Sequence, residues 1–147
     1  MREAFGGTFM IKLILIFIVI YISFMAVAID YAKVFRVKNN VINILEQNQF
    51  VIGDSFDNID TYLNDVPYNE NGNNSVKSNC DNAEFGGYTN NKTTLLTSNG
   101  VCIKQLGNNT NGIYYKVTAY ISIEFPFFNL YFTIPISGET KVIRIDE

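Results

Sequence analysis

Histidine is absent from this chain. Its absence removes the Ser-His-Asp triad, the Cys-His pair and the imidazole metal ligand together. Tryptophan is absent too, and cysteine is limited to Cys80 and Cys102. Two thiolates without an imidazole make an incomplete zinc site. Clustered cations are also missing: the 11 Lys and Arg are scattered among 14 Asp and Glu, for a net charge of -3. Phosphate binding needs gathered cations, so no nucleic acid partner is expected. Gly and Pro do not occur from Thr8 through Ile52, so nothing there breaks a helix until Gly53 supplies a stop. With no visible nucleophile-base pair or metal set, the chain reads as a non-enzyme without a cofactor.

What is present is unevenly spread. Hydrophobic residues make up 48% of the 147 positions, and many of them lie between Phe9 and Ile29. The stretch LILIFIVIYISFMAVAI, Leu13 to Ile29, carries no charge. Counted from Phe9 and allowing Lys12, it spans about 30 Å as a helix, the thickness of a bilayer core. Ile and Val are frequent in it, yet a strand this long is rare and lipid demands internally satisfied backbone groups, so a helix is the better reading. Met25-Ala26-Val27-Ala28 is the nearest approach to a signal-peptide cleavage site. The run exceeds a signal core, so a retained anchor is expected.

Beyond Asp30, Tyr31, Val34, Val37, Val41, Ile44 and Leu45 recur mostly at spacings of three and four, with Lys33, Arg36, Lys38, Asn40 and Glu46 between them. This is an amphipathic helix pattern. One helix of about 40 residues is expected, with Val34, Val37, Val41 and Ile44 as a packing face. That face either covers the chain's own sheet or also meets copies of itself or related subunits. Orientation is argued from two sides. Lys33, Arg36 and Lys38 after the span, against Arg2 and Lys12 before it, mildly favour a cytoplasmic C-terminus. The later cations also serve the amphipathic helix, and the Cys pair suits an exported domain, so the domain is read as extracellular.

In the polar half, Asp54-Ser55 followed by Phe56, Ile59 and Leu63 predicts a short capped helix. Residues 64–79 read as a loop, and Gly86-Gly87 as a turn. Thr93 to Thr97 and Val101 to Gln105 predict two strands joined by a two-residue Asn99-Gly100 turn. Residues Gly107 to Gly112 predict a further turn. Ile113 to Phe125 alternates with period two and is the clearest strand. Leu130 to Ile136, with Pro135, reads as an edge strand. Ser137-Gly138 is expected to turn the chain into a last strand, Glu139 to Ile145. The expected fold is α+β: a long N-terminal helix packed on a small antiparallel sheet. Residues 1–8 read as a short leader, 9–29 as a transmembrane helix, 30–52 as its amphipathic extension and 53–147 as an extracytoplasmic α+β domain.

Several local features carry two readings. Cys80 and Cys102 fit a disulfide in a small exported domain, with two free buried thiols as the alternative. Asn73-Asn74-Ser75, Asn91-Lys92-Thr93 and Asn108-Asn109-Thr110 match the glycosylation sequon, a chance event in so Asn-rich a chain. Asp54, Asp57 and Asp60 line a helix start, where acids offset the helix dipole more often than they bind a cation. The Pro67 to Asn74 loop lacks the first acid and the final bidentate Glu of a calcium-binding EF-hand. Tyr residues such as Tyr120 are expected to be exposed, as cross-strand partners or as contacts for sugar or protein.

Four stretches together carry a resemblance over about half of the chain. They are GGTFMIKLILIFIVIYISFMAVAIDYAKVFRVKNNVINILEQ, NGVCI, YYKVTAYISIEFPFF and LYFTIPISGETKVI. With Gly6-Gly7 ahead of the hydrophobic helix, the layout resembles type IV pilin-like proteins, and more closely the TadE-like pseudopilins of tight-adherence pilus loci in Gram-positive bacteria. The resemblance implies a minor pilus subunit or assembly factor, processed by a prepilin peptidase after Gly6 or Gly7. Its implied partners are the lipid bilayer, itself or other pilin-like subunits through the N-terminal helix, and the pilus assembly machinery. Pilins of this class usually carry Glu at the fifth position after the cut. Here a cut after Gly6 puts Ile11 there, and a cut after Gly7 puts Lys12 there. The alternative function is a single-pass anchored extracellular domain that binds a partner through loops 64–112.

Overall fold

The computed structural model describes residues 2–48, 52–89, 93–108, 112–125 and 130–142. Among the described residues, three helices precede five strands: α1 (Arg2–Gln47), α2 (Ile52–Asp65), α3 (Asn74–Asn79), β1 (Gly87–Tyr88), β2 (Thr94–Leu96), β3 (Cys102–Asn108), β4 (Gly112–Phe125) and β5 (Leu130–Glu139). The strands form one antiparallel sheet in sequence order. The fold is therefore α+β, with the later turns of the long N-terminal helix packed on a five-stranded meander. The chain divides into two compact units, Met1–Ala32 and Lys33–Glu147, and α1 runs through the boundary. From Lys33 onward the helix belongs to the folded domain.

The first unit is helix alone. From Phe9 to Ile29 most of its large apolar side chains are open, from 38% exposed at Leu13 to 72% at Phe24, with Val27 half-buried. Such a helix is long and apolar enough to cross a membrane, and it fits a single-pass anchor.

In the second unit, alternation along the strands sorts side chains onto two faces. Leu95, Ile103, Tyr115, Val117, Ala119 and Ile121 share one face with Val34, Val37, Val41 and Leu45 of α1 and Ile59 and Leu63 of α2. Burying each aliphatic side chain contributes about 1.5–3 kcal/mol, so this face holds most of the domain's stabilisation. On the opposite face Leu96, Cys102 and Tyr120 pack with Val76, Cys80 and Ala83. A disulfide joins Cys80, just after α3, to Cys102 at the start of β3. Closing a loop of this size contributes about 3 kcal/mol in the chain-entropy model.

Several expectations need correction. The first helix stops at Gln47 rather than Ile52, and Gly53 falls inside α2. Within α1 the buried stripe 34-37-41-45 ends at Leu45. In α2, Ser55, Ile59 and Leu63 take over the stripe. Residues 64–79 are not all loop, because Asn73 caps α3: its side-chain oxygen accepts a hydrogen bond from Ser75 N at 3.0 Å. Gly86 turns the chain at φ +74°, and Gly87 opens the unforeseen short strand β1.

The β2–β3 turn has three residues rather than two. Thr97 N donates to Val101 O, Gly100 N donates to Thr97 O, and Gly100 takes φ +91°. Ser137 and Gly138 do not turn the chain. They pair with Thr118 and Val117, and β5 continues to Glu139. The backbone bond from Thr140 N to Tyr115 O sets the register. By alternation Pro135, opposite Tyr120, falls at a position facing away from β4, so its missing N–H breaks no bond. Gly138 passes close under α1, where an added Cβ would lie 2.9 Å from Ile42 Cδ1. Residues 140–142 are not strand, and 143–145 lie outside the described residues.

Candidate functional site

Two features of the domain go beyond what the sequence decides. The first is the proposed packing face. Val34, Val37 and Val41 are 5%, 4% and 0% exposed, and Ile44 is packed against the same core. These residues hold the helix to its own sheet and are not available to a neighbour. The helix surface left open is the stretch Phe9 to Ile29. Gly6 and Gly7 lie in α1 with open space where a side chain would be. Lys38 is buried along its stem, with its ammonium 4.3 Å from the Phe35 ring centre.

The second is the far face of the sheet, which sequence left bare and the structure covers. Tyr120 is 1% exposed rather than a surface contact, because α3 and its disulfide lie over it. Burial pushes its hydroxyl up from 10.0 to about 12, and Asp81 nearby adds to the shift. Tyr68 reaches between the layers. Its hydroxyl accepts from Tyr120 N at 3.0 Å and donates to Gly100 O at 3.4 Å. Burial raises the Tyr68 pKa strongly. After Cys80, Asp81 and Asn82 take left-handed φ of 52° and 56°, a region these two residues tolerate better than most. This turn aims Asp81 at Lys104, 2.7 Å away, and at Thr94 Oγ1. The Lys104 hydrogen bond lowers the Asp81 pKa.

The loop between α2 and α3 makes an open, polar dish of about 390 Å³, lined by Asn69, Glu70, Asn71, Gly72, Asn73, Ser122, Glu124 and Tyr131. Its floor is a connected network. Ser122 Oγ donates to Glu70 Oε2 at 2.5 Å, Tyr131 Oη donates to Ser122 Oγ at 2.8 Å, and Asn73 Nδ2 donates to Glu70 Oε2 and Tyr131 Oη at 2.9 and 2.7 Å. Asn73 thus caps α3 with its oxygen and ties β4 and β5 to the loop with its nitrogen. On the other side, Glu70 N donates to Asn99 O, and Asn99 Nδ2 donates to Leu63 O. Gly100 lies tight against this loop, where an added Cβ would come 2.8 Å from Glu70 Cβ. Chemically the dish presents hydroxyl, amide and carboxylate groups to a polar ligand.

No family model, curated protein or solved structure matches the chain.

Asn73 Nδ2, the atom a glycan would occupy in the first sequon, is committed to the network. The acceptor side chains Asn91 and Asn108 lie outside the described residues. Asp54 also has an undescribed side chain, Asp57 is exposed, and Asp60 accepts from Ser98 Oγ at 3.0 Å. Among the described residues, no three His, Cys, Asp or Glu side chains group closely enough to hold a metal ion. Sequence reasoning missed Tyr68 and Asn73, whose roles depend on residues about 50 positions away. The Asn-cap pattern before Ser75 was the one readable signal.

Proposed function

We propose that this protein is a membrane-anchored, pilin-like structural subunit of an extracytoplasmic assembly, a TadE-like minor pilin or pseudopilin of a surface pilus or a related secretion machine. The observation that carries the proposal is the division of labour along α1. One unbroken helix gives its last turns to the domain core and leaves about 20 apolar residues uncovered, with no flexible linker between. A plain tether has no need of a helix that is also a core element. A subunit that passes lateral contacts from membrane helix to domain does. The disulfide supports a domain outside the cytoplasm. The reading assigns no catalytic residue and no cofactor. Ile11 or Lys12, where such pilins carry Glu, favours a subunit that acts in the machine's membrane base over one packed throughout a filament.

The test is crosslinking in native membranes from the open part of the helix. A photoreactive residue at Ile18 is expected to capture a second copy or another subunit with a pilin-like helix. If Ile18 and neighbouring positions around the helix capture only lipid at native expression, the assembly reading fails. A solitary anchored binding domain then becomes the better account. The polar dish favours that second reading, because it offers several hydrogen-bonding groups in one concave place.

A further inference from the structure

The dish beside the α2–α3 loop holds polar groups of two kinds. One kind is engaged within the protein. Hydrogens are donated from Tyr131 Oη to Ser122 Oγ and on to Glu70 Oε2, where Asn73 Nδ2 also donates. The loop is pinned too: Glu70 N donates to Asn99 O, and Asn71 N donates to Asn69 Oδ1, both at 2.9 Å. The walls are therefore formed before anything binds, which lowers the ordering cost of binding.

The other kind faces the open side. Among the described residues, no hydrogen bond engages Glu70 Oε1, Asn69 Nδ2 or the side chains of Asn71 and Glu124. The carboxylates only accept, the Asn69 NH2 donates, and the Asn71 amide does both. This mixture selects among ligands. A phosphate or carboxylate only accepts, and it would meet Glu70 and Glu124 as like charges with no Lys or Arg in the lining to offset them. An ammonium only donates, and it leaves the amide hydrogens unmatched. Adjacent hydroxyls on a sugar ring donate and accept side by side. The C–H face of such a ring also suits an aromatic wall, and Tyr131 is 48% exposed while its hydroxyl stays on Ser122. The volume of about 390 Å³ falls in the ordinary range for small-molecule sites.

We propose that the dish is a binding site for a neutral saccharide, hydrogen-bonded by Glu70, Glu124, Asn69 and Asn71 and resting on the ring of Tyr131. The site goes beyond the assembly reading and does not depend on it. An assembly subunit and a solitary domain would both present the same dish, so its failure leaves the crosslinking test at Ile18 untouched.

Saturation-transfer difference NMR tests the proposal on the full-length protein. The micelle is a phosphocholine detergent, because a sugar-headed detergent would compete. The probes are glucose, galactose, mannose and N-acetylglucosamine, each alone. Glucose 6-phosphate, lysine amide and a blocked glycine amide serve as the anionic, cationic and peptide controls. Transfer to the ring protons of at least one neutral sugar is expected. Asn71→Ala and Glu124→Gln should each weaken that binding roughly fivefold, the effect of losing one hydrogen bond. Both side chains are exposed, so the fold should survive, and the Cys80–Cys102 link with an unchanged circular dichroism spectrum confirms it. Transfer to none of the four sugars overturns the site. Equal affinity in the wild type and both variants places any binding elsewhere and overturns it too. A control bound as tightly as the sugar overturns the assigned ligand class. Sugar binding that vanishes on adding EDTA assigns the carboxylates to a cation and overturns direct contact.

Discussion

At the scale of single residues, one tyrosine joins three parts of the domain. Tyr68 follows α2, supports the β2–β3 turn at Gly100, and accepts the backbone N–H of Tyr120 in β4. That N–H is buried. Tyr68→Phe keeps the ring and removes the acceptor, so a loss of about 1–3 kcal/mol is expected. Denaturant unfolding in detergent micelles, followed by circular dichroism of the sheet, measures it. An unchanged midpoint would mean that the N–H finds another partner. Alkaline pH tests the same region. Tyr120 titrates near 10.0 when unfolded and at about 12 when folded. Below pH 10 the phenol is neutral in both states and its contribution is complete. Between pH 10 and 12 the unfolded chain releases the proton first, so stability falls as pH rises through this window. The fall should be shallower in Tyr120→Phe, measured as melting temperature against pH. An identical slope in both proteins would remove Tyr120 from the account. Neither tyrosine's role was legible in the sequence. Alternation placed Tyr120 on the outer face, and that was right about direction. What covers the outer face is set by a disulfide and by α3, 40 positions earlier, and no local pattern encodes that meeting.

At the scale of elements, α1 is two helices by environment and one by backbone. Its core turns sit at zero to 5% exposure through Val34, Val37 and Val41, and its earlier turns are open. Val41→Ala is expected to cost about 2–3 kcal/mol, the lost methyl groups plus the cavity they leave. Val41→Asp places an unpaired charge in the same space and should leave the domain unfolded. Protease resistance of the detergent-solubilised protein, together with disulfide formation, reads both. A folded, oxidised Val41→Asp domain would show that this face is not core. The helix and its stripe were plain in the sequence because period, length and the absence of Gly and Pro agree. Its partner was not, since a 3.6-residue stripe fits the chain's own sheet and a neighbour's helix equally well. The strands divide similarly. β4 was readable from its long alternation. The end of β5 was misread because Ser137-Gly138 carries turn chemistry, while the strand needs Gly there to pass under Ile42 and Lys38. α3 is only six residues long and opens in an Asn-rich run, so propensity could not separate it from loop.

At the scale of the whole molecule, the question is which side of the membrane holds the domain. Charge flanking the span points weakly inward through Lys33, Arg36 and Lys38. Those side chains lie on turns that already belong to the folded unit, and Lys38 is buried along its stem against Phe35 and Gly138. Their positions are therefore explained by the domain as well as by topology, which weakens them as a signal. The disulfide has no such double explanation. Cys102 sits in β3 and Cys80 closes the covering segment onto it, so the second core depends on oxidation. In a reducing cytoplasm the thiols would stay free and the segment over Tyr120 would lose about 3 kcal/mol of restraint. An outward domain is expected. In intact cells, protease added outside should remove the domain and leave a membrane fragment close to the apolar half of α1. The released part should retain the Cys80–Cys102 link under nonreducing mass mapping. A domain protected until the cells are opened, with both thiols alkylated, would place it inside. It would also withdraw the pilin-like reading, which has no use for a subunit facing the cytoplasm.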